Sequence, residues 1–363
     1  MQILWRIKCY FYIDYFVSLF FLRIFAQMKT RNNNQRILWI DMAKGYGIIL
    51  VIIGHWNIPY LTDYLYAFHI PLFFFLSGIV FSLKYDFASF LKTKVRHVIT
   101  PYFCLGITVV LADLIFSYGI NFGLSDIVKK VGCLFFQERY TTLWFLACLM
   151  ILNILMYPLV RFVKIHWLSY FIVFAICLCG ILLWRNGILS LPWNIDAALV
   201  VLPFFYMGHK LRDVCVSFQS LIICKKRYVI VLVFVLGLLV WFFNSRNIAS
   251  TGEKVDIFYS NLNMELITFL SASIGITMIV LLSMSYINRF IMYVGENSLL
   301  YFVWHQTILL PLLCRIYWGI GLKQLSDIET NIIKCVSVVL TIAIITILNM
   351  VIKRSKLKFV LGW

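Results

Sequence analysis

The sequence predicts an all-α integral membrane protein of about ten transmembrane helices, and three observations predict it. The chain of 363 residues is 63% hydrophobic and 13% charged, with a mean hydropathy of +0.92, whereas soluble domains run near 45–50% apolar and about 25% charged. Its apolar residues gather into runs of about twenty, the length that crosses a bilayer core. Its 32 lysines and arginines stand in short clusters between those runs, the pattern of basic loops held on one side of a membrane. Clusters spread in that way argue against nucleic acid as the partner of the net charge of +17.

Taken in order, the spans fall at 37–56, 64–83, 98–118, 142–160, 167–184, 194–209, 228–243, 263–284, 291–314 and 332–352. An even number returns both ends of the domain to one side. With that side cytosolic, nineteen cations face inward, among them Lys29, Arg31, Arg36, Lys84, Lys356 and Lys358, against seven outward, Lys323 included. The bias orients the protein in the inner membrane. Residues 28–363 read as one multi-pass domain. The first 27 residues are an uncertain extension: the run from Cys9 to Ala26 is broken by Asp14 and Arg23 and has no small-residue cleavage site. It is either an extra weak helix or a segment ahead of a start at Met28. The outer stretches 119–141 and 244–262 are polar, and their composition fits solvated connections better than lids.

The ten cysteines include no C-x-x-C pair, and most, such as Cys104, Cys148, Cys177, Cys179 and Cys335, sit in apolar runs. They read as reduced, buried thiols. Zinc spacing, P-loop and G-x-G-x-x-G are all absent, so no metal or nucleotide-hydrolysis site is expected.

The first span, R-I-L-W-I-D-M-A-K-G-Y-G-I-I-L-V-I-I-G-H, carries Asp41, Lys44 and His55, although an unpaired charge in lipid costs several kcal/mol. Lys44 and His55 are eleven residues apart on one helix face, roughly 16 Å along the axis. Asp41 lies one turn from Lys44 and can pair with it. Gly45, Gly47 and Gly54 leave room for a neighbouring helix or a thin ligand. Further on, F-H-I-P-L-F-F-F-L-S-G places His69 and Pro71 near the outer end of the second span, where a proline bends the helix and shapes a cavity. The inner stretch K-T-K-V-R-H gathers Lys92, Lys94, Arg96 and His97, either a positive-inside anchor or a phosphate-binding patch. Asp196 and Glu265 are carboxylates at the outer ends of two spans. Trp144 and Trp193 suit belt anchors or platforms for a sugar, and Ser298, Tyr301 and His305 share one helical side.

The order Arg36, Asp41, Lys44-Gly45 and Gly54-His55, followed by F-H-I-P-L-F-F-F-L-S-G, Trp144-Phe145-Leu146, W-N-I-D-A-A-L-V-V-L-P-F-F-Y-M-G and G-E-N-S-L-L-Y-F-V-W-H, resembles the membrane-bound acyltransferase-3 family. Within it the chain is most similar to fucose-4-O-acetylase-like sugar acetyltransferases. The resemblance covers nearly all of the chain after Met28. The family's usual Arg-x-x-Arg pair is replaced here by Lys94 and His97.

What the resemblance implies is an O-acetyltransferase that uses acetyl-coenzyme A and acts on a cell-surface polysaccharide or its precursor sugar. The cofactor's phosphates would dock on Lys92, Lys94, Arg96, His97 and Lys44. Its pantetheine arm would run beside the glycines of the first span, and His55 would serve as general base with Asp196 or Glu265 orienting its ring. Asp41, His69, Trp144, Trp193, Ser298, Tyr301 and His305 would line the acceptor site. An acetyl-histidine relay is a variant of this scheme. The alternative from another class is a transporter or flippase of glycans or small anions, using the same intramembrane charges as a path.

Overall fold

The computed structural model describes residues 37–83, 86–119, 121–137, 139–319 and 326–355. The N-terminal extension 1–27 and Lys29, Arg31, Arg36, Lys84, Lys323, Lys356 and Lys358 lie outside the described residues. The described residues are helical apart from their connections and one isolated bridge between Asp256 and Asn261. Nine helical stretches among them are long and apolar enough to cross a membrane. The chain is therefore an all-α multi-pass membrane protein.

The helices are α1 (Leu38–His55), α2 (Leu61–Tyr66), α3 (His69–Val80), α4 (Phe87–Lys94), α5 (Thr100–Tyr118), α6 (Leu124–Phe136), α7 (Trp144–Phe162), α8 (His166–Arg185), α9 (Ile195–Cys224), α10 (Lys226–Thr251), α11 (Glu265–Ser285), α12 (Arg289–Glu296), α13 (Ser298–Trp304), α14 (Leu310–Gly319) and α15 (Asp327–Arg354). The expected sixth span is α9. Its 30 residues include Asp196, Lys210, Arg212 and Asp213, too many charges to count among the nine. It nevertheless runs through the core, with Ala197, Ala198, Val201, Leu202 and Phe205 all buried.

Small residues decide which helices touch most closely. A Cβ on Gly78 would fall 1.9 Å from the Phe205 carbonyl, and one on Gly208 would fall 2.0 Å from the Phe75 carbonyl, so α3 and α9 cross backbone to backbone. Gly45 and Gly295 do the same for α1 and α12, against the Ile291 and Asp41 carbonyls. Peripheral helices are built differently. Only 17% of the apolar window of α10 is buried, against 61% for α1, and α10 leaves Val231, Phe234 and Trp241 exposed. Such a surface suits a hydrocarbon solvent. Of the cysteines expected to be buried, Cys148 and Cys177 are, whereas Cys179 and Cys335 are exposed, because an apolar run gives a residue's depth in the membrane and not which side of its helix faces the bundle.

Among the described residues three spans are interrupted, each beside a histidine: the third, between α4 and α5, passes through a π turn, Val95–Ile99, that contains His97. The second divides into α2 and α3 at Ala67 and Phe68. Pro71 then falls in the first turn of α3, where no N–H is missed, so the break precedes the proline and the proline does not bend a continuous helix. The ninth passes through a π turn, His305–Leu309, between α13 and α14, an irregularity that frequently marks functional positions.

Candidate active site

α1 carries His55 to one end of the bundle and α3 returns from it. Gly54 faces the Tyr66 ring, and Gly47 faces Phe73 and Leu72, so the two segments are antiparallel. His55, Tyr66 and His69 thereby meet at one end. Lys44 and the α4 cations lie at the other.

A cavity of about 300 Å³ opens at the His55 end, lined by His55, Tyr66, His69, Trp144, Lys254 and residues 256–259 among others. The Tyr66 hydroxyl lies 3.4 Å from His55 Nδ1, and the His55 ring stands 5.0 Å from that of His305. His69 Nδ1 is 2.7 Å from the Leu65 carbonyl, and His305 Nδ1 is 2.8 Å from the Tyr301 carbonyl. A carbonyl only accepts, so both Nδ1 atoms carry the proton. Each neutral ring then offers its Nε2 lone pair, and that of His305 is buried with no partner.

The loop after α10 forms one wall. Lys254 Nζ sits 3.8 Å over the Tyr66 ring, and Phe258 meets Trp144 edge to face at 5.9 Å. Asp256 accepts from the Phe258 N–H at 3.0 Å. Burial pushes its carboxyl above the usual range, against the opposing pull of Lys254 and local N–H donors. The second half of the 244–262 stretch therefore walls the cavity, where its composition alone suggested a solvated connection.

A buried ion pair anchors that wall. Arg139 donates to the Phe258 carbonyl through Nη1 and to the Asp196 carboxylate through Nη2. Asp196 is fully buried and also accepts from Trp184 Nε1 at 2.7 Å and from the Leu191 N–H at 3.1 Å. All ten described non-glycine residues with positive φ lie in the connections at this end: Asn57, Tyr60, Gln137, Arg139, Thr141, Ser190, Trp193, Asn194, Ser260 and Asn263. Each such conformation costs about 1–3 kcal/mol and persists only where its surroundings hold it.

His55, His69 and Trp144 thus line the cavity, and His305 adjoins it. The other expected residues lie elsewhere. Neither Asp196 nor Glu265 contacts His55: Asp196 belongs to the Arg139 pair, and Glu265 pairs with Arg185 at 2.7 Å. The group at hydrogen-bonding distance from the His55 ring is Tyr66. Trp193 stacks on Tyr102 at 5.4 Å, the Tyr301 hydroxyl bonds Thr346 at 2.7 Å, and Ser298 opens α13 at the far end. Asp41 is buried where α1 meets α12. Lys92, Arg96 and His97 are exposed, while Lys94 lies over the Phe81 and Phe90 rings. Along the glycine face of α1, Gly45 is packed against Ile291 and Gly47 against Phe73, leaving no groove for a thin ligand beside them, while Gly54, next to Tyr66, borders the cavity.

Histidines, hydroxyls and one lysine around an aromatic-walled cavity suit proton transfer to and from a small hydroxylic substrate. Among the described residues no group of three potential ligands could hold a metal ion. Residues 37–350 match the family model described as an acyltransferase domain, of the acyltransferase-3 type. The chain belongs to the acyltransferase-3 family. No curated protein and no solved structure matches it. As a membrane acyltransferase it works with an acyl donor and an acceptor, and membership places it with the acyl-transferring enzymes, ahead of the transporter reading. Sequence reasoning missed Tyr66, Thr141, Lys254 and Asp256. Only the mixed charge of G-E-K-V-D in an otherwise apolar chain pointed to the last two.

Proposed function

We propose that this acyltransferase moves an acetyl group from acetyl-coenzyme A to a hydroxyl of a cell-surface polysaccharide or its precursor sugar, in the inner membrane with both ends of the domain cytosolic. The observation that carries this reading is the imidazole of His55 in the cavity, with Nδ1 facing Tyr66 and, among the described hydrogen bonds, none at Nε2. Donation of Nδ1–H to the Tyr66 oxygen puts the lone pair on Nε2, the state required of a general base. Trp144, Phe258 and Tyr259 give the cavity flat apolar walls suited to a sugar ring.

The exposed cations Lys92, Arg96 and His97, with Lys94 and Lys44, are the docking patch for the donor's phosphates in this reading. Because the glycine face of α1 is packed at Gly45 and Gly47, the acyl arm reaches His55 along another path. His55 accepts the proton of the attacking hydroxyl and returns it to the departing thiolate, a role worth about 10² to 10⁴ in rate.

The test is transfer of label from [acetyl-¹⁴C]acetyl-coenzyme A into a glycan fraction, and release of free thiol, by membranes holding equal amounts of wild type or His55→Ala. A loss of about 10²-fold or more in His55→Ala is expected. Equal rates in the two would remove His55 from the chemistry, and a wild type that releases no thiol would overturn the choice of donor.

A further inference from the structure

General base catalysis leaves two polar groups of the cavity without a task. Lys254 is the only lysine or arginine among the described residues that line it. Its ammonium rests on the Tyr66 ring at 3.8 Å, and among the described ion pairs it has no carboxylate partner within 4.0 Å. An aromatic face holds a cation without neutralising it. Thr141 lines the same cavity with a hydroxyl that is buried and has no hydrogen-bond partner. Its φ of 52° is an outlier for a β-branched residue.

Both groups are held in place. Asp256 and Asn261 exchange backbone hydrogen bonds of 2.8 and 2.9 Å. Asn261 Nδ2 donates to the Lys254 carbonyl at 3.2 Å and to the Glu253 carboxylate at 2.9 Å. Asn263 Nδ2 reaches the Glu253 carbonyl at 2.7 Å, and Arg139 fixes the Phe258 carbonyl. Thr141 is followed by Thr142, whose hydroxyl is tied to the Val303 carbonyl at 3.2 Å. Donors fixed before the reaction are what a developing oxyanion requires.

We infer that the Lys254 ammonium and the Thr141 hydroxyl receive the carbonyl oxygen of the acyl donor as it becomes an oxyanion. The inference rests on acyl transfer at His55. The acceptor hydroxyl oxygen bonds to the thioester carbonyl carbon as His55 Nε2 takes its proton, and the carbonyl π pair moves onto oxygen, facing Lys254 and Thr141. The oxyanion then re-forms the carbonyl, the C–S bond breaks, and the thiolate takes the proton from His55. No oxidant or further reactant is needed. Lys254 and Thr141 hydrogen-bond to the reacting oxygen and exchange no proton.

The experiment uses the full chain in lipid nanodiscs, with thiol release from acetyl-coenzyme A and nitrophenol release from p-nitrophenyl acetate as two independent readouts. Lys254→Met is expected to lower kcat by about 10²- to 10³-fold, with KM for either donor unchanged. Lys254→Arg should recover part of the loss. Thr141→Val should lower kcat by a smaller factor, with Thr141→Ser restoring it. Wild-type turnover that vanishes in His55→Ala yet persists at full kcat in Lys254→Met would overturn this inference and leave the acyltransfer reading standing. So would a Lys254→Met effect confined to the KM of acceptors that carry a carboxylate, which would make Lys254 an acceptor-binding cation. A wild type that releases neither thiol nor nitrophenol would overturn the acyl-donor reading, and this inference with it.

Discussion

The two ends of the bundle hold their charges in opposite ways. At the His55 end Arg139 and Asp196 are buried together, loops run through left-handed conformations, and the connection after α10 is tied back on itself. At the other end Lys92, Arg96 and His97 stand exposed on α4 and the turn that follows it. No described connection there contains a non-glycine residue with positive φ. Strain is retained only where many contacts over-determine it, so the difference identifies the His55 end as the one built to fixed geometry. The other end needs charge density more than shape.

The largest expected effect tests the rigid end. Arg139→Ala leaves the Asp196 carboxylate buried without its cation, a loss of about 3–5 kcal/mol. The variant should unfold at markedly lower temperature in detergent, and endoproteinase Lys-C should cut faster after Lys254, because Phe258 loses its tether. Lys92→Ala at the other end should change neither readout. A cost below about 1 kcal/mol for Arg139→Ala, within the scatter of ordinary surface changes, would remove the distinction between the ends.

The sequence made the helical framework legible because twenty-residue apolar runs report lipid-facing length directly. It was equally plain that His55 stands out, since a titratable group in an apolar run has a cost that demands a reason, whereas His69 read on physical grounds as a packing histidine and entered the site through the family resemblance. What could not be read was pairing. Asp196 and Arg139 are 57 positions apart, and nothing in either neighbourhood announces that they meet. An isolated intramembrane carboxylate therefore read as an orienting group for His55. Tyr66 was hidden for the opposite reason: one tyrosine among 20 is indistinguishable until the break between α2 and α3 turns it toward His55. The glycines of α1 were correctly read as sites of close approach, but spacing alone could not say whether helix or ligand occupies them.

A smaller effect sharpens the other half of the contrast. The double variant Lys92→Ala, Arg96→Ala removes two exposed cations, so its stability should stay within about 0.5 kcal/mol of wild type. Each charged contact to a donor phosphate is worth about 1.5–3 kcal/mol, so KM for acetyl-coenzyme A should rise by about tenfold or more. The wild-type KM should rise with salt, because exposed charges are screened. An unchanged KM with unchanged salt response would reduce the patch to a membrane anchor, and the contrast would then lie between a catalytic end and a merely anchoring one.

The smallest effect concerns Asp256, where the fixed end should show a pH signature that the exposed end lacks. Burial raises its carboxyl in the folded protein relative to the unfolded chain. The folded state then holds the proton more tightly, so stability is greatest below the ordinary carboxylate range and declines as pH rises through the interval up to the raised value. Asp256→Asn keeps an oxygen that can accept from the Phe258 N–H and has no proton to lose. Its stability should therefore vary less with pH over that interval in thermal melts at stepped pH, with the curves converging at low pH. If instead wild type gained stability with rising pH there and Asp256→Asn did not, the carboxylate would be stabilised as an anion. Lys254 would then be its counter-ion rather than a cation left available to the cavity.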